Sequence, residues 1–202
     1  MPRNPKQERS KATVNAIIKA GFICAAEHGL AATTTRHIAK VAGVGIGSVY
    51  EYFKDKEAIY AAMGEVLTGD LVKMISDITP QLTEESTEGA LRILLEHLKD
   101  FLQKDDQLYL RYAKETATLD QLHQSQPAIN KPLIELMMQY LVKHPELATT
   151  KNIPGTSYFL IHGGSYAILN HLMDPSPPIS FDDLVDAIAM MAGSYVELNS
   201  QG

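Results

Sequence analysis

The residues that could do chemistry do not assemble into a catalytic set. Seven histidines (His28, His37, His97, His123, His144, His162 and His171) are scattered along the chain, with no H-E-x-x-H pair or other metal-ligand spacing among them. Cys24 is the single cysteine, so an internal disulfide is excluded, and it reads as a buried, inert thiol. The run Gly43-x-Gly45-x-Gly47-Ser48 has the outline of a phosphate loop. It lacks the lysine before the serine, and it follows a helical pattern rather than a strand. No serine sits in G-x-S-x-G. No enzyme, cofactor or metal is expected. The coherent chemistry lies in Thr33–Ile59, where short helices and their termini could meet phosphates and base edges.

That stretch must fold as two short helices and a tight turn. Ile38, Ala39 and Ala42 share the inner side of a helix from about Thr35 to Ala42, with Thr34 placed as its N-cap. Gly43 stands where a helix end needs a residue that tolerates positive φ, and Val44 is the apolar plug of the turn. A second helix runs from about Ile46 to Phe53, with Val49 and Phe53 inward. This is a helix-turn-helix, whose second helix enters a DNA major groove.

The charge distribution agrees. The chain of 202 residues carries a net charge of −6, unevenly divided. Residues 1–60 hold nine Lys/Arg against five Asp/Glu, a net +4; residues 61–202 hold nine against nineteen, a net −10. A basic N-terminal third on an acidic body predicts that only the first part meets a polyanion. A hydrophobic content of 45% is ordinary for a chain with a real core. The basic N-terminus has no apolar region behind it, and no apolar run approaches the roughly 18 residues of a membrane span. A cytoplasmic protein without a membrane partner is expected.

The whole chain reads as all-α, about nine helices. Residues 1–54 are expected to form a helix-turn-helix DNA-binding domain and residues 55–202 a ligand-binding and dimerisation domain, joined by a connector helix over about 55–78. Residues 1–8 are expected to be a disordered basic arm, with Arg3, Lys6 and Arg9 able to reach phosphates. A first helix spans about Gln7 to His28, with Val14, Ile17, Ile18, Gly21, Phe22 and Ala25 on one stripe and Gly29 as its stop. Asp55 caps the connector, which carries Ile59, Met63, Leu67, Leu71 and Met74 and ends before Pro80. Gln81–Gly89 is turn-like. Helices follow over Leu91–Leu102, from Asp105–Asp106 onward, from about Ala128 to Lys143, and from about Thr156 to Leu172, with a loop between Pro145 and Pro154. Ser180 and Asp183 form a capping box for a last helix to about Leu198.

The run Thr34-Thr35-Arg36, Ile38-Ala39, Ala42-Gly43-Val44, Ser48-Val49-Tyr50, Tyr52-Phe53 and Lys56-Glu57 resembles the signature of TetR/AcrR-type transcriptional regulators over about Lys11 to Met63. The resemblance implies a dimeric, ligand-released repressor that binds a palindromic operator in double-stranded DNA. It implies DNA contacts from Thr35, Arg36, Ile46, Gly47, Ser48, Tyr50, Glu51, Tyr52 and Lys56. Arg36 and Lys56 suit phosphates, Tyr50 and Tyr52 can reach the backbone, Ser48 can donate to a base edge or phosphate, Ile46 can meet a thymine methyl, and Glu51 can accept from a cytosine amino group. Gly45 and Gly47 depart from a rigid recognition helix, at about 1 kcal/mol each relative to Ala, and close approach to the DNA backbone is their expected use. The helix lacks Arg, Asn and Gln, so shape and water would contribute to specificity.

In the body, Gly163-Gly164-Ser165 inside a helix suggests close approach of another helix. That helix and the last one, through Gly163, Gly164, Ala167, Leu184, Ile188, Met191, Ala192 and Tyr195, are expected to form a homodimeric four-helix bundle. A small, mostly apolar effector is expected among Met63, Leu67, Tyr109, Tyr112, Met137, Tyr140, Tyr158, Phe159 and His162. Arg111 is expected to point outward and pair with Glu115. The alternative is a helical small-molecule-binding protein with weak or lost sequence-specific DNA binding.

Overall fold

The computed structural model describes residues 5–116 and 119–199, with side chains from residue 8 onward except those of 117–130 and 148–149. Of the expected disordered arm, residues 5–8 instead form the start of α1, and Arg3 lies outside the described residues. Among the described residues the chain is helical, without strands: α1 (Pro5–Ala32), α2 (Thr35–Ala42), α3 (Ile46–Tyr52), α4 (Lys56–Leu82), α5 (Thr87–Thr116), α6 (Leu119–Lys143), α7 (Ile153–Phe159), α8 (Ser165–Met173) and α9 (Phe181–Asn199). A 3-10 turn (Pro145–Thr149) occupies the expected loop, and a π-helical turn (Leu160–Gly164) joins α7 to α8.

The helices pack into two compact units. The first holds residues 1–69 and 104–119, the second residues 70–103 and 120–202. This packing division falls elsewhere than the expected boundary at 54/55. In the first unit, Ile17, Cys24, Ile38, Val49, Ile59 and Met63 have no exposed surface or almost none. Each large aliphatic side chain buried this way contributes roughly 1.5–3 kcal/mol. Gly21 brings α1 against α4: a Cβ there would stand 2.7 Å from Met63 Sδ and 3.3 Å from Ile59 Cγ2. In the second unit, Leu95, Ile168 and Val185 join α5, α8 and α9, with Leu98, Leu172, Phe181, Leu184 and Ile188 around them. Arg92 ties α5 to α9 through Asp186 and also pairs with Glu88.

α4 serves both units. Ile59 and Met63 lie in the first core, while Leu71, Ile75, Ile78 and Leu82 recur at helical spacing as buried residues of the second. The helix does not end before Pro80. It runs on to Leu82, because the carbonyl that loses its partner at Pro80 belongs to Ser76, which is exposed to water. The expected turn is shortened to the residues after Leu82, and Ser86 opens α5 by accepting from Gly89 N–H at 3.1 Å.

α5 is also divided. Lys104 leaves helical geometry, and Asp105, Asp106 and Gln107 all have φ between 50° and 61°. The two aspartates therefore mark a break between helical halves, as their position suggested. They hold a left-handed conformation that costs L-residues roughly 1–2 kcal/mol each. α6 starts at Leu119, earlier than the expected Ala128. The expected single helix over Thr156–Leu172 is widened by the π turn that contains His162 and both glycines.

The local caps follow the sequence. Thr34 accepts from His37 N–H at 3.2 Å, Asp55 from Ala58 N–H at 2.8 Å, and Ser180 from Asp183 N–H at 3.1 Å. Gly43 ends α2 at φ 69°, and a Cβ at that position would meet nothing within 4 Å. The cost of a substitution there is therefore the backbone conformation alone. Gly43→Ala should lower stability by about 1–2 kcal/mol in urea denaturation, and Gly43→Asn by less, since asparagine tolerates positive φ.

Candidate nucleic-acid interface

The helix-turn-helix is built from α2 and α3. Ile38, Ala39 and Val49 are buried, which turns the opposite faces of both helices outward. Val44 N–H donates to Ala39 O at 3.1 Å and fixes the turn, while the Val44 side chain packs against the core. The outward face carries most of the expected DNA-contacting residues. Arg36, Ile46, Gly47, Tyr50, Glu51 and Tyr52 are exposed; Thr35, Ser48 and Lys56 are half-buried.

Several of these side chains are already oriented. The hydroxyls of Thr35 and Tyr50 lie 3.1 Å apart, which links the start of α2 to α3. Tyr52 OH donates to Ser10 Oγ at 3.3 Å, fastening the end of α3 to α1. Ser10 was not foreseen; nothing in its local spacing marks it. Gly45 caps α3 without a side-chain hydrogen bond, and a Cβ at Gly45 or Gly47 would meet nothing within 4 Å. Packing within the chain thus does not require either glycine.

Lys56 has a structural duty beyond the expected one. Its Nζ donates to Ala31 O at 3.2 Å and Thr33 O at 3.4 Å, and stands 5.9 Å from the Tyr60 ring centroid. These carbonyls are freed where Gly29, at φ 76°, turns the end of α1. Tyr60 OH donates to Leu30 O at 2.8 Å, and Tyr112 OH donates to Tyr60 O at 3.0 Å. Leu30 N–H donates to Glu115 Oε2 at 3.2 Å. Glu115 is therefore spent on α1 and does not pair with Arg111 as expected.

Of the expected effector-lining residues, Met63 is wholly buried in the first core. Leu67, Tyr109 and Tyr112 pack against that core, with the Phe22 ring 5.2 Å from each tyrosine. The others lie in the second unit. Tyr140 stacks on His144 at 4.2 Å and donates to Glu85 O at 2.8 Å; Met137 is half-buried. Tyr158 and Phe159 are largely exposed, so they line no interior of the chain, and Tyr158 leans on half-buried His162 at 4.3 Å. A cleft of about 300 Å³ lies instead within the first unit, and of the nine expected residues only Tyr109 borders it.

The expected dimer faces are partly used within the chain. Leu184 and Ile188 pack against the second core, Ala192 is buried, and Tyr195 donates to Lys151 O at 2.7 Å. Ala167 is half-buried. Met191 is 63% exposed, beside Met190 at 57% and Leu198 at 80%. A Cβ at Gly164 would meet nothing within 4 Å, and one at Gly163 only the Phe159 ring at 3.4 Å.

Comparison with known proteins follows the same outline. Residues 17–63 match the profile of the family described as bacterial regulatory proteins, tetR family. The match takes in the end of α1, the helix-turn-helix and the start of α4. It is 28% identical over 105 residues to the nucleoid occlusion factor SlmA of Glaesserella parasuis, covering 52% of this chain and 49% of that one. The chain thus spans about half the length of the curated relatives it matches. Its fold is similar to that of a TetR-family transcriptional regulator from Mesorhizobium loti, with a TM-score of 0.69 and 21% identity over 94% of this chain and 98% of that one. A fatty acid degradation regulator, FadR, from Bacillus halodurans gives 0.66 and 20% over 95% and 96%. The solved structures this chain resembles are described as regulators. Among the described residues no group of three or more metal-ligating side chains gathers, and no helix is long and apolar enough to cross a membrane.

Burial pushes the Tyr112 and Tyr60 phenols above their ordinary value of 10.0, and the Cys24 thiol above 9.0. A phenol raised on folding contributes stability that is complete below its unfolded value and is lost as pH rises towards its folded value. Urea midpoints should therefore fall between pH 8 and about pH 10.5. Tyr112→Phe should start roughly 1 kcal/mol lower, from loss of its hydrogen bond, and decline less over that range.

Proposed function

We propose that this chain is a ligand-responsive, DNA-binding transcriptional regulator that acts as a homodimer on a palindromic operator in the cytoplasm, most simply as a repressor released by a small, mostly apolar effector. The observation that carries the reading is the outward face of α2 and α3: Arg36, Ile46, Tyr50, Glu51 and Tyr52 exposed beside Thr35 and Ser48, over a buried Ile38–Val49 interior. Supporting it, the basic charge of the chain is concentrated in residues 1–60. Arg36 and the spare proton of Lys56 would meet phosphates, while Ser48 and Ile46 would face base edges. Gly45 and Gly47, which no packing inside the chain demands, would admit the sugar–phosphate backbone.

A single head neutralises few phosphates, so the affinity needs two. On α9, Ala187, Met190, Met191, Ser194 and Leu198 are exposed at helical spacing, and Tyr158, Phe159 and Tyr166 are exposed on α7 and α8. This is the surface that a two-fold partner would cover, with half-buried Gly163 beside it; Gly164 is buried within the chain itself. The face shifts away from Leu184, Ile188 and Ala192, which are occupied within the chain. α4 passes through both units and is the element through which an effector would change the presentation of the heads. That change requires the effector to differ in affinity between DNA-bound and released forms.

The test is binding to DNA flanking the chain's own reading frame. Affinity should fall steeply with salt, and Arg36→Ala should reduce the slope of log K against log salt by about one for each copy of the residue. Gly47→Ala should make the protein roughly 1 kcal/mol more stable yet weaken DNA binding, separating propensity from approach. Flat salt dependence together with an indifferent Gly47→Ala variant would instead favour a ligand-binding protein without operator recognition. Sedimentation should give a dimer, and Met191→Glu should shift it to monomer without lowering the monomer's helix content.

A further inference from the structure

The cleft in the first unit has a built polarity of its own. Ile18 and Phe22 are buried at its base, Leu108 and Tyr109 are half-buried on one wall, and Val66 of α4 remains 36% exposed. Asn15, Lys19, Lys104 and Asp105 surround this apolar interior and are all exposed. Two lysines against one aspartate leave the border net positive. Lys104 Nζ stands 5.3 Å from the Tyr109 ring centroid, which holds a cation over the cleft's aromatic wall.

We propose that this cleft binds a small amphipathic carboxylate, with its apolar body against Phe22, Val66 and Tyr109 and its anionic end between Lys19 and Lys104. The size follows from the volume. About 300 Å³ lies at the small end of ligand-pocket volumes, which suits a medium-length aliphatic or single-ring aromatic acid. A neutral analogue would lose the lysine contacts, and a compact inorganic anion would leave the apolar walls wet. Asn15, one turn before Lys19 on α1, adds a donor for the second carboxylate oxygen.

The site joins α1, α4, the break in α5 and the residues that follow it, so its occupant touches the helices that flank the helix-turn-helix. Phe22 also packs on Tyr112, whose hydroxyl reaches Tyr60 of α4. Any effect of the occupant on DNA affinity rests on the regulatory reading above; the binding itself does not.

Isothermal titration of the full chain with octanoate, a medium-length aliphatic acid, tests the site. Saturable binding is expected, weaker in high salt, with octanol binding at least ten-fold more weakly. Lys104→Gln and Lys19→Gln should each weaken octanoate about five-fold with little effect on octanol. Val66→Glu, at an exposed position, should abolish binding while the melting curve shows a folded protein. Absence of saturable octanoate binding, or equal affinity in Val66→Glu and Lys104→Gln, would overturn the proposal. Octanoate that binds as expected but leaves operator DNA affinity unchanged would uphold the site and count against carboxylate control of DNA binding.

Discussion

The first unit depends on what happens where α1 is turned at Gly29. A helix end leaves carbonyl and N–H groups without intrahelical partners, and a buried or half-buried end must find them elsewhere. Here the Leu30, Ala31 and Thr33 carbonyls are met by Tyr60 and Lys56 of α4, and Leu30 N–H by Glu115 of α5. The helices that flank the helix-turn-helix are thereby held by directional bonds as well as by apolar packing. Packing alone tolerates sliding along an apolar stripe; a phenol that must reach one carbonyl does not. The outward face of α2 and α3 inherits its orientation from that anchorage.

Such an arrangement separates two kinds of legibility. The caps could be read from sequence because each is local: Thr34, Asp55 and Ser180 meet N–H groups three residues on. The helix-turn-helix was legible for the same reason, since Gly43 and the Ile38–Val49 spacing are decided within twenty residues. The ends of longer helices were not. Pro80 removes one bond to the Ser76 carbonyl and crowds it, and whether that carbonyl faces water is decided by the packing of Leu71, Ile75 and Ile78. Glu115 has a lysine-like neighbour at helical spacing in Arg111, yet the partner it takes lies 85 residues away.

The same limit governs the sites. Sequence marks Leu184, Ile188, Met191 and Ala192 as one apolar face, but a helix with a wide apolar surface has two uses for it. Only packing reveals that Val185, Ala189 and Ala192 serve the chain itself while Met190 and Met191 remain outside. Aromatic residues expected to surround an effector divide for a comparable reason. Tyrosine suits a core, a cavity wall and an interface equally well, and its hydroxyl is satisfied by whichever carbonyl the fold brings within reach. The cleft-bordering lysines escaped notice because exposed lysines in a helical sequence carry no signal until an apolar hollow opens beside them.

Glycine offers the sharper guide, since its reason for being present can be sought and found missing. Gly21 is explained inside the chain, by Met63 and Ile59. Gly43 is explained by its own backbone. Gly45, Gly47 and Gly164 have neither explanation: a Cβ at each would stand in open space. Helix propensity alone would favour alanine at Gly47 and Gly164. Gly45 and Gly47 are exposed on the helix-turn-helix face, where a DNA backbone would approach on the proposed reading, whereas Gly164 is buried within the chain and exposed Gly69 of α4 is equally open.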